Sequence, residues 1–211
     1  LESEKRMTLG DLFNKYGTDK TKKHQYDTIY EKYFEPIKND QLNILEIGVD
    51  KGLSTLAFHE YFPHANLYGI DLFKRVPMEK IEPYGLERCK FVKGDSTFAF
   101  GSSLTNLKFD IIIDDGLHTP IGNAKTFRNF KPLLADDGQY FIEDIWPIEL
   151  MSEEEMQHKW IKNHPFDFNI HMNKIFLRTI DDSGMNIERF DLRKKTGQAD
   201  SYIIRLTNEK N

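Results

Sequence analysis

The sequence predicts an α/β fold in which a mostly parallel central sheet carries helices on both faces and ends in an antiparallel hairpin. Short apolar runs alternate with helix-length segments along residues 43–142, and this alternation favours parallel strands joined by right-handed crossovers. Residues 186–192 and 201–206 flank a Lys-Lys-Thr-Gly turn, which predicts the hairpin. The 211 residues, 39% of them apolar, suffice for one domain with an ordinary core.

The first forty residues are expected to be helical. Apolar residues within Met7–Lys15 and again within Tyr26–Phe34 recur at the spacing of one helical face, and Gly17–Asp19 separates the two segments. We therefore assign residues 1–40 to an N-terminal helical cap and residues 41–211 to the main domain. The two parts are expected to form one structural unit.

Five strands and three further helices are expected in the main domain. The strands are, in chain order, Asn43–Ile47, Asn66–Ile70, Lys90–Lys93, Phe109–Ile113 and Gln139–Ile142. The helices are Leu53–Phe62, Ala124–Leu134 with Ala135–Gly138 as its exit turn, and Ser152–Trp160.

Composition excludes several classes of protein. The net charge is −5 and the densest basic run has three residues, which argues against a nucleic-acid partner. The single cysteine, Cys89, cannot form an internal disulfide and favours a reducing compartment. No apolar run approaches the roughly 20 residues of a membrane span, and residues 1–7 lack a signal sequence. A cytoplasmic protein without a membrane partner is expected.

Acidic residues follow every predicted strand of the parallel sheet. Open α/β sheets bind ligands beyond the carboxyl ends of their strands. The polar residues at those ends are Glu46 with Gly48, Asp71, Asp95, Asp114 and Asp115 with His118, and Glu143 with Asp144. One acid at a strand end is ordinary turn chemistry, but five strands ending in this way predict a binding site.

The turn after the first strand is suited to the charged end of a cofactor. Within Leu45–Thr55, Gly48 lets the backbone approach a ligand, and Ser54 opens a helix whose amino end favours a negative group. Asp50 stands where a dinucleotide fingerprint needs glycine, so an amino-acid end suits the turn better than a pyrophosphate. Asp71 closes the second strand and is placed to bind both ribose hydroxyls.

Three carboxylates are expected to converge on a metal ion. Asp115, Glu143 and Asp144 would repel one another unless a cation lay between them, and oxygen ligands favour Mg²⁺, with Mn²⁺ or Ca²⁺ as alternatives. His118 would then lie close enough to accept a proton from a bound group. In the simpler alternative, the Asp114–Asp115 pair only caps a helix and His118 is a surface residue.

At these motifs the sequence resembles the class I S-adenosylmethionine-dependent methyltransferases. Within that class it is similar to the Mg²⁺-dependent macrolide-sugar O-methyltransferases of the mycinamicin and tylosin pathways. The stretches that carry the resemblance are Lys15–Lys20, Leu45–Gly48, Tyr68–Asp71, Ile111–His118 and Ile142–Asp144. Leu117 departs from the usual serine, and the segment after Trp146, which would shape the acceptor pocket, has no match.

The resemblance implies a Rossmann-like class I methyltransferase fold with S-adenosylmethionine and Mg²⁺ as cofactors. It implies that His118 is the general base and that the metal ligands are Asp115, Glu143 and Asp144. The residues it implies for cofactor binding are Tyr16, Thr18, Glu46, Gly48, Ser54, Asp71, Asp95 and Asp114. The loop from Tyr16 to Thr18 would close over the cofactor as a lid.

The expected reaction is methyl transfer to a hydroxyl of a sugar or glycosylated natural product whose diol chelates the metal. The expected partner is a small-molecule or glycan acceptor, and a homo-oligomer is left open. A catechol-like small-molecule O-methyltransferase and a non-catalytic binding protein of the same fold are the alternatives. A nucleic-acid methyltransferase is disfavoured because Asp-Asp-Gly-Leu-His stands where those enzymes carry an Asn/Asp-Pro-Pro-aromatic segment. A metal-dependent hydrolase would not need the Glu46–Ser54 loop or Asp71.

Overall fold

A computed structural model describes residues 7–81, 87–98 and 104–208 of the chain. Within those ranges the strands are β1 Asn43–Ile47, β2 Asn66–Asp71, β3 Cys89–Lys93, β4 Phe109–Asp114, β5 Leu134–Ile142, β6 Met185–Asp191 and β7 Tyr202–Asn208. They form one sheet in the order β3-β2-β1-β4-β5-β7-β6. The predicted parallel sheet and C-terminal hairpin are confirmed, since β1 to β5 run parallel and β7 is antiparallel to both β5 and β6.

Helices cover both faces of the sheet. They are α1 Leu9–Tyr16, α2 Asp19–Lys22, α3 Asp27–Phe34, α4 Leu53–Tyr61, α5 Pro120–Phe130, α6 Lys159–Asn163, α7 Ile170–Asp181 and α8 Arg193–Thr196. Short 3-10 turns are present at Glu35–Ile37, Met78–Lys80, Lys131–Leu133, Ile148–Leu150 and Glu155–Gln157. None of the helices in the described ranges combines the length and the apolar character that crossing a lipid bilayer requires.

The hydrophobic core lies on both faces because alternate residues of a strand point in opposite directions. In β4, Ile111 and Ile113 pack against the aromatic side chains of α1, α3 and α4, whereas Ile112 packs with α5 and α7. In the first of these cores Phe34 packs against both Phe58 of α4 and Phe141 of β5. The N-terminal helices therefore share one continuous core with the sheet.

The strand register brings the acidic turns to one edge. Ile47 of β1 lies beside Ile70 of β2 on one side and Asp114 of β4 on the other. Asp114 in turn lies beside Ile142, the last residue of β5. Because these strand ends are level, the residues that follow them share the carboxyl edge of the sheet.

The prediction for the helix before β5 was wrong in its bounds. The helix α5 begins at Pro120, because Thr119 caps it by accepting a hydrogen bond from the Gly122 amide at 3.2 Å. The predicted exit turn at Ala135–Gly138 lies inside β5. There the register with β4 jumps by several residues, so the turn-like sequence forms an irregularity within the strand.

The prediction of one helix over Ser152–Trp160 was also wrong. Ser152 and Glu155 form a capping box, in which the side chain of each accepts from the backbone amide of the other. This capping box precedes only a short 3-10 turn. His158 then caps the separate helix α6 by accepting from the Trp160 amide. The longer helix α7 was not predicted from the sequence.

Candidate active site at the carboxyl edge of the sheet

Two adjoining cavities lie at the carboxyl edge of the sheet and share Gly48. The first, of about 270 Å³, has in its wall Thr18, Lys20, Gly48, Ser54 and Asp115. The second, of about 180 Å³, has in its wall Gly48, Asp71, Asp95, Gly116 and Leu117. Together they form a cleft across the ends of β1, β2 and β4.

Gly48 is required by the way the first turn packs. Its φ is +89°, and a Cβ atom there would lie 2.0 Å from the carbonyl oxygen of Asp115. The turn after β1 is tied to the turn after β4 by a hydrogen bond of 2.9 Å from the Asp115 amide to the Ile47 carbonyl. Any side chain at Gly48 would push these two turns apart.

The carboxylates of Asp71 and Asp95 are oriented by nearby donors. Asp71 accepts from the Asp50 amide at 3.0 Å and from the Phe73 amide at 2.6 Å. Asp95 accepts from the amide and the hydroxyl of Thr97 at 2.9 and 2.7 Å. Both acids are thus held in fixed directions in the wall of the second cavity.

Glu46 lies beneath the cleft rather than in its wall. It is buried, and the hydroxyls of Ser54 and Thr55 each donate to one of its carboxylate oxygens. Burial raises the pKa of Glu46 to about 7, although the charge of Lys20 and the two hydroxyls act in the opposite direction. Glu46 therefore fixes the first turn of α4 against the end of β1.

The two ends of the predicted lid lie in different places. Thr18 is in the wall of the first cavity, and its buried hydroxyl oxygen has no hydrogen-bond partner within the described residues. The hydroxyl of Tyr16 instead donates to Glu60 of α4 at 2.6 Å. The Tyr16 side chain is thereby turned toward α4.

Asp115, His118 and Asp144 come together at the ends of β4 and β5. One ligand-capable atom from each lies within 4.8 Å of the others. The Nε2 atom of His118 is 3.4 Å from Asp115 Oδ1, while its Nδ1 atom is buried without a hydrogen-bond partner in the described ranges. Two carboxylates with one imidazole can hold a divalent cation.

Glu143 is engaged by other side chains. Its Oε2 atom lies 2.5 Å from the ammonium of Lys20, and its Oε1 atom accepts a short hydrogen bond from the Tyr30 hydroxyl. Lys20 also lies 2.7 Å from Asp115 Oδ2. The structure thus brings Asp115 and Asp144 to His118 but directs both oxygens of Glu143 toward the N-terminal helices.

Buried carboxylates outnumber the cations around them. Burial raises the pKa of Asp114 to about 7, and the charge of His118 offsets only part of this effect. The pKa of Glu143 and that of Asp144 are also raised by burial. Burial disfavours the charge of Lys20, but the surrounding carboxylates outweigh it and raise its pKa well above the ordinary value. A further cation would relieve this excess of negative charge.

Comparison with known proteins identifies the domain. Residues 45–145 match the family model described as a methyltransferase domain. Just under half of the chain therefore matches a methyltransferase domain. That match covers the second cavity and the acidic centre formed by Asp115, His118, Glu143 and Asp144. It excludes the N-terminal helices, which contribute Thr18 and Lys20 to the wall of the first cavity.

Curated relatives of this region are named O-methyltransferases, and one of the names includes a rhamnosyl group. The mycinamicin VI 2''-O-methyltransferase of Micromonospora griseorubida is 28% identical over 67% of this chain and 37% of its own length. The 8-demethyl-8-(2-methoxy-alpha-L-rhamnosyl)-tetracenomycin-C 3'-O-methyltransferase of Streptomyces olivaceus is 28% identical over 65% of this chain and 37% of its own length. The chain thus spans less than two fifths of the length of these relatives.

Solved structures share the fold of the methyltransferase domain. The MycE methyltransferase from the mycinamycin biosynthetic pathway, in complex with Mg, SAH and mycinamycin VI, superposes with a TM-score of 0.69 at 19% identity. This match covers 99% of this chain and 56% of that one. The SAH-bound Podospora anserina methyltransferase PaMTH1 gives a TM-score of 0.63 at 15% identity, over 98% and 89% of the two chains. The predicted Rossmann-like class I methyltransferase fold is confirmed.

Three residues that contact the acidic centre were not predicted from the sequence: Lys20, Tyr26 and Tyr30. Lys20 lies in the Lys15–Lys20 stretch of the resemblance, which was the available signal, but it had been given no role. Tyr26 and Tyr30 belong to the apolar pattern that predicts one helical face, and this pattern gives their hydroxyls no role. Each is buried, yet each places its hydroxyl on a carboxylate of the methyltransferase domain.

The segment after Trp146 closes one side of the acidic centre. The indole nitrogen of Trp160 donates to the backbone carbonyl of His118 at 3.4 Å. The Trp160 ring also lies 4.1 Å from that of His164, centroid to centroid. An aromatic surface therefore stands beside His118 in this methyltransferase domain.

Proposed function

We propose that this chain is the catalytic part of an O-methyltransferase that uses S-adenosylmethionine and a divalent cation to methylate a hydroxyl on the sugar of a small-molecule glycoside. The observation that carries the proposal is the grouping of Asp115, His118 and Asp144 within 4.8 Å, beside the cleft that contains Gly48. The names of the relatives support a sugar as the acceptor. Residues 1–40 would act as a cap on this domain, of which residues 1–6 lie outside the described ranges.

The cleft suits the two halves of S-adenosylmethionine. Ser54, at the amino end of α4, and the unpartnered hydroxyl of Thr18 offer polar groups for the methionyl end in the first cavity. In the second cavity Asp71 would bind the ribose hydroxyls and Asp95 the adenine edge. Because Gly48 lines both cavities, the sulfonium would lie between them, near Asp115.

The acidic centre suits a divalent ion. Asp115 and Asp144 would supply carboxylate oxygens to the ion, and His118 would lie beside it as the proton acceptor. Burial raises the pKa of Asp144, and a bound cation would offset that effect. The resemblance implies Glu143 as a third metal ligand; because its two oxygens contact Lys20 and Tyr30, we propose that Glu143 acts at this site through its negative charge. When bound, the ion would lower the pKa of an acceptor hydroxyl by several units.

His118 is proposed as the general base. Its unpartnered Nδ1 atom and its Nε2 atom near Asp115 leave the imidazole able to accept the hydroxyl proton. The oxygen would then attack the methyl carbon while the carbon–sulfur bond breaks, and its electron pair would return to sulfur. Trp160 fixes the His118 carbonyl and so helps to hold the base in place.

A methyl-transfer assay with labelled S-adenosylmethionine tests this function. The full chain with Mg²⁺ would be offered glycosides bearing adjacent sugar hydroxyls, and in parallel phenolic diols. We expect label in the sugar, loss of transfer in excess chelator, and recovery when Mg²⁺ is added. Transfer only to phenolic diols would contradict the sugar acceptor, and full activity in chelator would contradict the metal. A chain that binds S-adenosylmethionine but methylates nothing would instead be a binding protein.

A further inference from the structure

The acidic centre is held by side chains from one N-terminal stretch, residues 20–30. Lys20 contacts both Asp115 and Glu143. The hydroxyl of Tyr30 donates to Glu143, and that of Tyr26 donates to Asp144 at 2.8 Å. All three of the proposed acidic residues therefore have a partner outside the part of the chain that matches the methyltransferase family.

Lys20 is the only lysine among the described residues with a fully buried side chain. It is 2% exposed, and its backbone carbonyl accepts from the Tyr26 amide at 2.7 Å. Removing one partner of a buried ion pair costs several kcal/mol because the other charge is left uncompensated. The lysine is thus a fixed part of the centre and not a mobile surface charge.

The charges balance when one divalent ion is added to this arrangement. Asp115, Glu143 and Asp144 carry three negative charges in their ionised forms, and Lys20 carries one positive charge. One divalent ion supplies the remaining two. Lys20 and a single divalent ion are therefore electrostatically compatible, with no need for either to displace the other.

Lys20 also limits the oxygens that the protein can offer an ion. The Lys20 ammonium pairs with Asp115 Oδ2 and Glu143 Oε2, and the Tyr30 hydroxyl donates a hydrogen bond to Glu143 Oε1. Asp115 Oδ1 lies near His118, and Asp144 offers one oxygen to the same group, although its Oδ1 also accepts from the Tyr26 hydroxyl. Mg²⁺ is commonly held by one or two carboxylates and keeps several waters, whereas Ca²⁺ takes six to eight oxygen ligands.

We propose that Lys20 determines the specificity of the acidic centre for Mg²⁺ over Ca²⁺, by occupying carboxylate oxygens that a larger ion would use. The inference rests on the metal site of the proposed function. Lys20 acts through Asp115 and Glu143 and is a positioning residue. Without it, both carboxylates gain a free oxygen and the centre offers more ligands with a higher negative charge.

The test is calorimetric titration of the metal-free full chain with Mg²⁺ and, separately, with Ca²⁺, without cofactor or acceptor. We expect the wild-type chain to bind Mg²⁺ more tightly. In Lys20→Met the ratio of the Ca²⁺ to the Mg²⁺ dissociation constant should fall by about tenfold, the size of effect seen when groups supporting metal ligands are removed. Lys20→Gln serves the same purpose if the methionine variant does not fold.

Two further variants separate position from charge. Lys22→Met removes an equal charge from the exposed side of α2 and should leave the ratio unchanged. Lys20→Arg keeps a cation at the buried position and should retain the preference for Mg²⁺. A wild-type chain that binds neither ion would overturn the metal site of the proposed function. A wild-type chain that prefers Ca²⁺, or a Lys20→Met or Lys20→Gln chain with the wild-type ratio, would overturn this inference alone.

Discussion

The hydroxyl of Tyr26 makes two hydrogen bonds with Asp144, donating to Oδ1 at 2.8 Å and accepting from the backbone amide at 3.2 Å. Asp144 has a φ of +50°, a conformation that costs a non-glycine residue roughly 1–3 kcal/mol and persists only when neighbours impose it. The paired bonds from Tyr26 supply that constraint. These two hydrogen bonds fix the orientation of both the backbone and the carboxylate of Asp144.

Tyr26→Phe is therefore expected to weaken metal binding. Without the hydroxyl, the Asp144 carboxylate loses the hydrogen bond that orients it, and loss of such a support lowers metal affinity by about 10–100-fold. Titration of the metal-free chain with Mg²⁺ or Mn²⁺ measures the change. Tyr33→Phe is the matched control, because the Tyr33 hydroxyl donates to Glu188 instead. Equal affinities in both variants would contradict the role of Tyr26.

His118→Ala is expected to abolish most methyl transfer while leaving cofactor binding intact. The imidazole accepts the proton in the proposed reaction, and removal of a general base lowers the rate by about 10²–10⁴-fold. Turnover and the affinity for S-adenosylhomocysteine should be measured on the same sample. His171→Ala, at an exposed position of α7, is the control. Unchanged transfer in His118→Ala would remove this residue from the mechanism.

Gly48→Ala is expected to destabilise the fold by at least about 3 kcal/mol, because a positive φ and a clash with the Asp115 backbone act together. Gly184→Ala separates the two causes. Gly184 also has a positive φ, but a Cβ there would meet nothing within 4 Å, so a loss of about 1 kcal/mol is expected. Urea unfolding of both variants checks the difference. Equal losses would mean that the two turns can move apart.

Glu46→Gln is expected to change how stability depends on pH. Burial raises the pKa of Glu46 from 4.5 to about 7, so the folded state holds this proton more tightly than the unfolded state. The stabilisation is complete below pH 4.5 and is lost as the pH rises through 7. This rise in the pKa corresponds to about 3 kcal/mol in the free energy of unfolding.

Urea unfolding in chelator at several pH values tests this expectation. The stability of the wild-type chain relative to Glu46→Gln should fall between pH 4.5 and 8. Glu153 lies at an exposed position, so the free energy of unfolding of Glu153→Gln should change with pH in the same way as that of the wild type. A difference between wild type and Glu46→Gln that stays constant with pH would show that Glu46 titrates normally.

The sheet and its acidic edge could be predicted from local patterns. Apolar runs ended by Gly or Asp locate the strands, and the level carboxyl ends of parallel strands bring Asp71, Asp115 and Asp144 to one edge. The predicted bounds of α5 were wrong because the apolar pattern indicates a start at Ala124, whereas Thr119 and Pro120 mark the actual start of the helix. Turn-forming residues at 135–138 likewise suggested a helix exit, where neighbouring strands impose an irregular strand.

The partners of the acidic residues could not be predicted in the same way. A lysine in a short polar helix is usually solvated, and nothing in the sequence near Lys20 indicates that two carboxylates will surround it. A tyrosine such as Tyr30, on an apolar helical face, gives the same pattern whether its hydroxyl is free or bound. These contacts depend on tertiary packing between α2, α3 and the ends of β4 and β5.

Lys20 precedes Asp115 by 95 residues and Glu143 by 123 residues in the chain. Contacts of such long separation form late, because closing the intervening chain costs entropy before any interaction is gained. The ion pairs of Lys20 require β4 and β5 to be in place, because Asp115 and Glu143 follow the ends of those strands. The acidic centre can therefore be complete only in a chain whose N-terminal helices have packed against the sheet, and binding of an ion there would report that packing.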